Sequence, residues 1–227
     1  MSEIQIDRSK FDKDQLFDID MGVRNGVDAS LYADQKYSWV QMAVIRMALE
    51  RGLDATPYTK PYEKNQLNQI KNGLERELDV LVYADPKYNS EQMEEIFWGL
   101  EEGLDVSVYA KEKYSWEQMQ QIRMGLADGV DVSLYTDERF DDDQMDEIRV
   151  GLVEGLNVSV YAKPEFSNLQ MFEIRYGLKQ GLDVSVYADK KYTSTQMGLL
   201  REYLQQEKEQ KQSNSVKTKE KESELQI

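Results

Sequence analysis

Eight glutamines recur at an almost constant spacing: Gln15, Gln41, Gln66, Gln92, Gln118, Gln144, Gln170 and Gln196, with six intervals of 26 residues and one of 25. The text around them recurs as well, so the chain is one small unit copied seven times, followed by a half copy. A unit of this length cannot close a core by itself and buries its apolar face only against its neighbours. The expectation is an all-α protein, an α-solenoid of seven 26-residue helix–short-helix repeats plus a terminal half repeat. It spans residues 11–204, after a lead-in at 1–10 and before a charged, largely disordered tail at 205–227.

One copy, Tyr114–Phe140, shows how the unit is built. Ser115 stands three before Gln118, the spacing of a capping box, and Tyr114 and Met119 flank it as a hydrophobic staple. The caps recur as Asp12, Ser38, Asn89, Asp141, Ser167 and Thr193, and Glu63 alone departs. This gives the glutamine column a structural role. The helix that follows carries Met119, Ile122 and Leu126 on one face. Gly125 lies on that same face and recurs as Gly22, Gly73, Gly99, Gly151 and Gly177, with Ala48 once. A glycine inside a helix costs roughly 1 kcal/mol against alanine, and the reason expected for it is close approach of a neighbouring backbone. Gly129 stops the helix as a C′ glycine, and Glu77 takes that place in the third copy as an expected weak point. Asp131 then caps a second element of one to two turns, which ends in Tyr135. That tyrosine column (Tyr32, Tyr58, Tyr83, Tyr109, Tyr161, Tyr187) is expected to bury its rings between repeats.

Composition narrows the chemistry. The chain has no cysteine and no histidine, which removes disulfides, thiolate and imidazole metal ligands, and the commonest acid–base and nucleophilic catalysts. Asp141, Asp142, Asp143, Asp146 and Glu147 crowd together but do not follow the spaced calcium-loop pattern. The glycines sit within helices or at their C-terminal ends, where the helix dipole disfavours anions. No catalytic residue, cofactor or metal site is therefore expected. The N-terminus lacks a basic stretch followed by an apolar one, and no apolar run approaches the ~20 residues of a membrane span. The expectation is a cytoplasmic protein that contacts neither membrane nor nucleic acid directly.

The net charge of −15 is concentrated. Residues 91–154 hold 18 acidic and 5 basic side chains; the rest of the chain holds 25 and 23. A band of that sign attracts a partner with a basic surface. Its candidate contacts are Glu91, Glu94, Glu95, Asp141, Asp142, Asp143, Asp146 and Glu147. A second candidate surface is the column six after each glutamine, roughly opposite the core stripe. Apolar residues there, Met47, Trp98, Met124 and Tyr176, form an exposed ridge suited to protein binding. An arginine column one place earlier (Arg46, Arg123, Arg149, Arg175, Arg201, with Lys71 in the third copy) is expected to pair with acids of adjacent repeats, and Asp20 and Phe97 break it.

The string GLDVSVYAKEKYSWEQMQQIRMGLADG resembles an uncharacterised helical repeat of bacterial and mobile-element hypothetical proteins. The resemblance covers about residues 11–204 and implies no activity. The leading expectation is a non-catalytic scaffold, inhibitor or adaptor that binds a protein through the acidic band and the ridge. The alternative is a nucleic-acid mimic of phage or mobile-element origin, an anti-defence inhibitor of a DNA- or RNA-binding enzyme.

Overall fold

The computed structural model describes residues 6–224. Among these residues there are eight α-helices and no β-strand: α1 (Lys13–Arg24), α2 (Trp39–Glu50), α3 (Lys64–Glu75), α4 (Ser90–Glu101), α5 (Trp116–Ala127), α6 (Asp142–Val153), α7 (Asn168–Lys179) and α8 (Ser194–Glu224). Between them lie single 3-10 turns, three residues long at Val106–Val108 and four at Thr56–Thr59. The chain divides into two compact units, residues 1–123 and 124–227. In the first, α1 packs on α2, α2 on α3 and α3 on α4; in the second, α6 packs on α7 and α7 on α8. Within each unit consecutive long helices stack in one repeated arrangement, the α-solenoid architecture that the period implies.

Local chemistry sets the helix ends. Asn89 accepts from the amide of Gln92 at 2.7 Å, and Gln92 Oε1 accepts from the amide of Asn89 at 2.9 Å, which makes a complete capping box at the start of α4. Asp141 and Gln144 do the same for α6. The glutamine also has a second task. Its Nε2 donates to backbone carbonyls of the next copy: Gln92 to Tyr114 at 2.6 Å, Gln66 to Tyr88 at 2.5 Å, Gln144 to Phe166 at 2.5 Å. One side chain thus closes its own helix and ties that helix to its neighbour.

At the other end Leu104 N–H donates to Gly99 C=O and Gly103 N–H to Leu100 C=O, the paired bonds of a Schellman motif. Gly103 takes φ +69°, a left-handed conformation that glycine adopts without strain. Glu77 holds the same conformation at φ +59° with a full side chain.

The core of each copy is a methionine (leucine at Leu16 and Leu67), an isoleucine and the tyrosine of the short element. Met93, Ile96 and Tyr109 have no exposed surface, and burial of each such side chain contributes about 1.5–3 kcal/mol. The internal glycine is explained by this tyrosine rather than by a neighbouring backbone. In six copies a Cβ on the glycine would stand 1.8–2.0 Å from the hydroxyl oxygen of the tyrosine ten residues on. The bare α-carbon lets that hydroxyl reach a helix carbonyl, as Tyr109 reaches Glu95 at 3.0 Å and Tyr32 reaches Asp18 at 3.0 Å.

The chain beyond residue 204, expected as a largely disordered tail, continues α8 as helix to Glu224. Glutamate, lysine and glutamine are strong helix formers, and pairs four apart support them: Tyr203 with Glu207, Gln205 with Glu209. Lys208 reaches back to the carbonyl of Gln180 at the end of α7. Residues 225–227 of the tail lie outside the described residues.

Candidate partner-binding surface

The arginine column builds an ion-pair ladder across the helix stacks. Four of the five arginines, each five after its glutamine, meet the acid three after the preceding glutamine, 28 residues earlier. Arg46 pairs with Asp18 at 3.1 Å, Arg123 with Glu95 at 2.9 Å, Arg175 with Glu147 at 2.7 Å and Arg201 with Glu173 at 2.7 Å. Arg149 takes Asp146 at 2.6 Å and Asp128 at 3.1 Å. Burial pushes the carboxyls of Asp18 and Glu147 above the usual carboxylate range, and their arginines oppose that shift.

This ladder sorts the acids expected to face a partner. Glu95 is 6 % exposed and serves as an internal counter-ion, so it is withdrawn from the outward band. Glu147 and Asp146 are engaged by Arg175 and Arg149 in the same way. Asp141 spends its carboxylate on the α6 cap. Asp142 is half-buried, and Asp143 is exposed and accepts from Asn168 at 3.1 Å. Glu91 and Glu94 are exposed and enter no ion pair; Glu91 accepts from the neighbouring Ser90 hydroxyl. Glu91, Glu94 and Glu95 belong to the first unit and the other five acids to the second.

The apolar ridge divides too. Trp98 and Tyr176 stand 41 % and 38 % exposed, whereas Met47 and Met124 are half-buried. A helix packed on two sides, as α2 is by α1 and α3, leaves only a narrow open strip, and the column runs along its border. A flexible thioether chain can lie down against that border; an indole is too large to be covered. In the second unit Tyr176 stacks on Phe172 with centroids 5.9 Å apart, and the guanidinium of Arg201 sits 4.8 Å from the Tyr176 ring.

The structure brings three of the expected residues together. Glu91, Glu94 and Trp98 stand at i, i+3 and i+7 on α4 and share one outward face. Trp98 meets Phe97 edge-to-face at 5.2 Å. Opposite them on α3, Asn65, Asn68 and Asn72 repeat the same spacing, with Gln69 beside them. Sequence reasoning passed over these amides, although their periodicity and the break in the arginine column at Phe97 both point to this place.

Among the described residues no cluster of three or more carboxylates could hold a metal ion, and no helix is long and apolar enough to cross a membrane. No protein-family model matches the chain, and neither a curated protein nor a solved structure does.

Proposed function

We propose that this protein is a non-catalytic binding module that engages another protein at a basic surface, with Glu91, Glu94 and Trp98 as its principal contacts. One observation carries this reading: two exposed carboxylates without a counter-ion share a helix face with an exposed indole, in a molecule whose other helix-face acids are largely engaged internally. Free carboxylates steer a basic partner and set its register, and a tryptophan supplies the contact area of a hot spot. Carboxylates at the same place repel phosphate backbones, which argues against direct nucleic-acid binding.

A nucleic-acid mimic is the second reading, favoured by the concentration of negative charge in residues 91–154. Engagement of Glu95, Asp141, Asp146 and Glu147 within the fold weakens it, because half of the named acids then have other work. Capture from an extract of the native host on immobilised protein, at low and moderate salt, tests both readings. The partner should carry a basic surface, bind less at higher salt, and be lost with E91Q/E94Q/W98S. Retention by that variant overturns the assignment. Release of the partner by duplex DNA or RNA identifies the mimic.

A further inference from the structure

Where the ion-pair ladder is interrupted between α3 and α4, a groove stands open. Where the ladder is intact an arginine lies across the space between two long helices, as Arg123 does over Glu95; between α2 and α3 its two positions hold Lys71 and Val44, and Lys71 pairs along its own helix with Glu75. Between α3 and α4 both partners are replaced at once, the arginine by Phe97 and the acid by Gln69. What remains is a cleft in two joined sections of about 310 Å³ and 230 Å³, which share Gln69 and Glu94. Phe97, 5 % exposed, lines it with Arg76, whose guanidinium lies 5.6 Å from the Phe97 ring centroid. Asn65, Asn68 and Asn72 line the α3 wall; Glu91, Glu94 and Trp98 line the α4 wall.

We infer that this groove holds an extended segment of a partner protein that carries lysine or arginine at alternate positions. The inference rests on the protein-binding reading above and names its site and its ligand. Three features select that occupant. An Asn or Gln side chain presents an acceptor and two donors, which matches the C=O and N–H of a peptide unit, and four such amides run along one wall. Asn65 to Asn72 spans about 10 Å of helix axis at ~1.5 Å per residue, the length of about three residues of extended chain. The charge is unbalanced: Arg76 is held by Glu101 at 2.6 Å and Glu75 by Lys71 at 2.6 Å, while Glu91 and Glu94 have no cation.

Spacing gives the ligand a pattern. A cation between Glu91 and Glu94 is followed, about 7 Å along an extended chain, by the next side chain on the same side. That distance brings it over the Trp98 ring, where a cation–π contact favours lysine or arginine again. The motif is basic–any–basic.

The probe is a random peptide library displayed on phage, selected on the full chain, with selected sequences remade as free labelled peptides. The expected consensus is basic–any–basic, with affinity lowered about tenfold by E91Q/E94Q and by N68A/N72A, whose side chains are not part of the core. The Q69E/F97R variant rebuilds the ladder pair and closes the groove, and it should also lose the peptide; a cooperative thermal transition shows that it folds. An acidic, apolar or absent consensus overturns the inference. So does basic-peptide binding that survives both Q69E/F97R and N68A/N72A. If the natural partner is lost with E91Q/E94Q/W98S but not with Q69E/F97R or N68A/N72A, the groove assignment fails and the binding reading stands; if no variant affects it, both fail.

Discussion

Ala48 stands where six other copies carry glycine, and Tyr58, ten residues on, is the tyrosine of its column whose buried hydroxyl has no hydrogen-bond partner. The two facts have one cause. In the other copies a Cβ at this position would fall within 2.0 Å of the hydroxyl oxygen, so a methyl there excludes the approach that lets the hydroxyl donate to the helix carbonyl. Removing the hydroxyl should therefore cost nothing in this copy: Tyr58→Phe is expected to be neutral or stabilising. Tyr109→Phe removes the bond to Glu95 and should cost about 1 kcal/mol. Gly99→Ala should cost about 1–3 kcal/mol through overpacking, and less in the Tyr109→Phe background. Urea denaturation of the four variants checks this; equal effects of the two Tyr→Phe changes would separate the glycine column from the tyrosines.

What could be read from the sequence divides along the range of the interaction. Caps and C′ glycines are set by spacing within one helical turn, and the structure places them where Asp12, Asn89, Asp141 and Gly103 predict. The bond from Gln92 to the carbonyl of Tyr114 and the fit of Tyr109 over Gly99 depend on how one element leans on another, which no local pattern encodes. The acidic band shows the same limit. Charge counting found it, but only the 28-residue reach from Glu95 to Arg123 reveals that this acid faces inward. The α3–α4 groove was present in the sequence only as a missing arginine at Phe97 and a periodic run of amides at Asn65, Asn68 and Asn72.

The double duty of the glutamines makes their cost depend on position. Gln92 is buried, accepts from Asn89 and donates to the carbonyls of Tyr114 and Glu112. Gln92→Ala leaves those groups without partners and should destabilise by about 2–3 kcal/mol. Gln196 is exposed, and its Oε1 serves the amide of Thr193 at 2.9 Å. Gln196→Ala should cost about 0.5–1 kcal/mol, the value of a surface cap. Chemical denaturation midpoints of the two variants decide; equal shifts would mean that the bonds between copies contribute nothing.

Glu77 occupies a conformation that costs an L-residue roughly 1–2 kcal/mol. Glu77→Gly should raise stability by about 1 kcal/mol. The mirror experiment is Gly103→Ala. A Cβ there meets nothing within 4 Å, so the expected loss of about 1 kcal/mol is purely conformational. Opposite signs for the two substitutions in thermal denaturation confirm that the backbone, and not contact, governs this column; a destabilised Glu77→Gly would refute it.

The tyrosine column gives the fold an alkaline limit. Burial raises the hydroxyl pKa of Tyr32 and Tyr187 from 10.0 to about 12, and that of Tyr58, Tyr83, Tyr109, Tyr135 and Tyr161 in the same direction. A group whose pKa is higher in the folded state than in the unfolded state contributes its full stabilisation below the unfolded value. That contribution is lost as pH rises from about 10 towards the folded value, because the unfolded chain releases the proton first. Seven such groups acting together should make unfolding cooperative and steep above pH 10.0, with no counterpart near neutrality. Ultraviolet titration of tyrosinate, followed beside circular dichroism, should show the buried column ionising only as helix is lost. Ionisation of the whole tyrosine complement in one phase, with helicity unchanged, would show that the column is open to solvent and that its hydroxyls do not hold the copies closed.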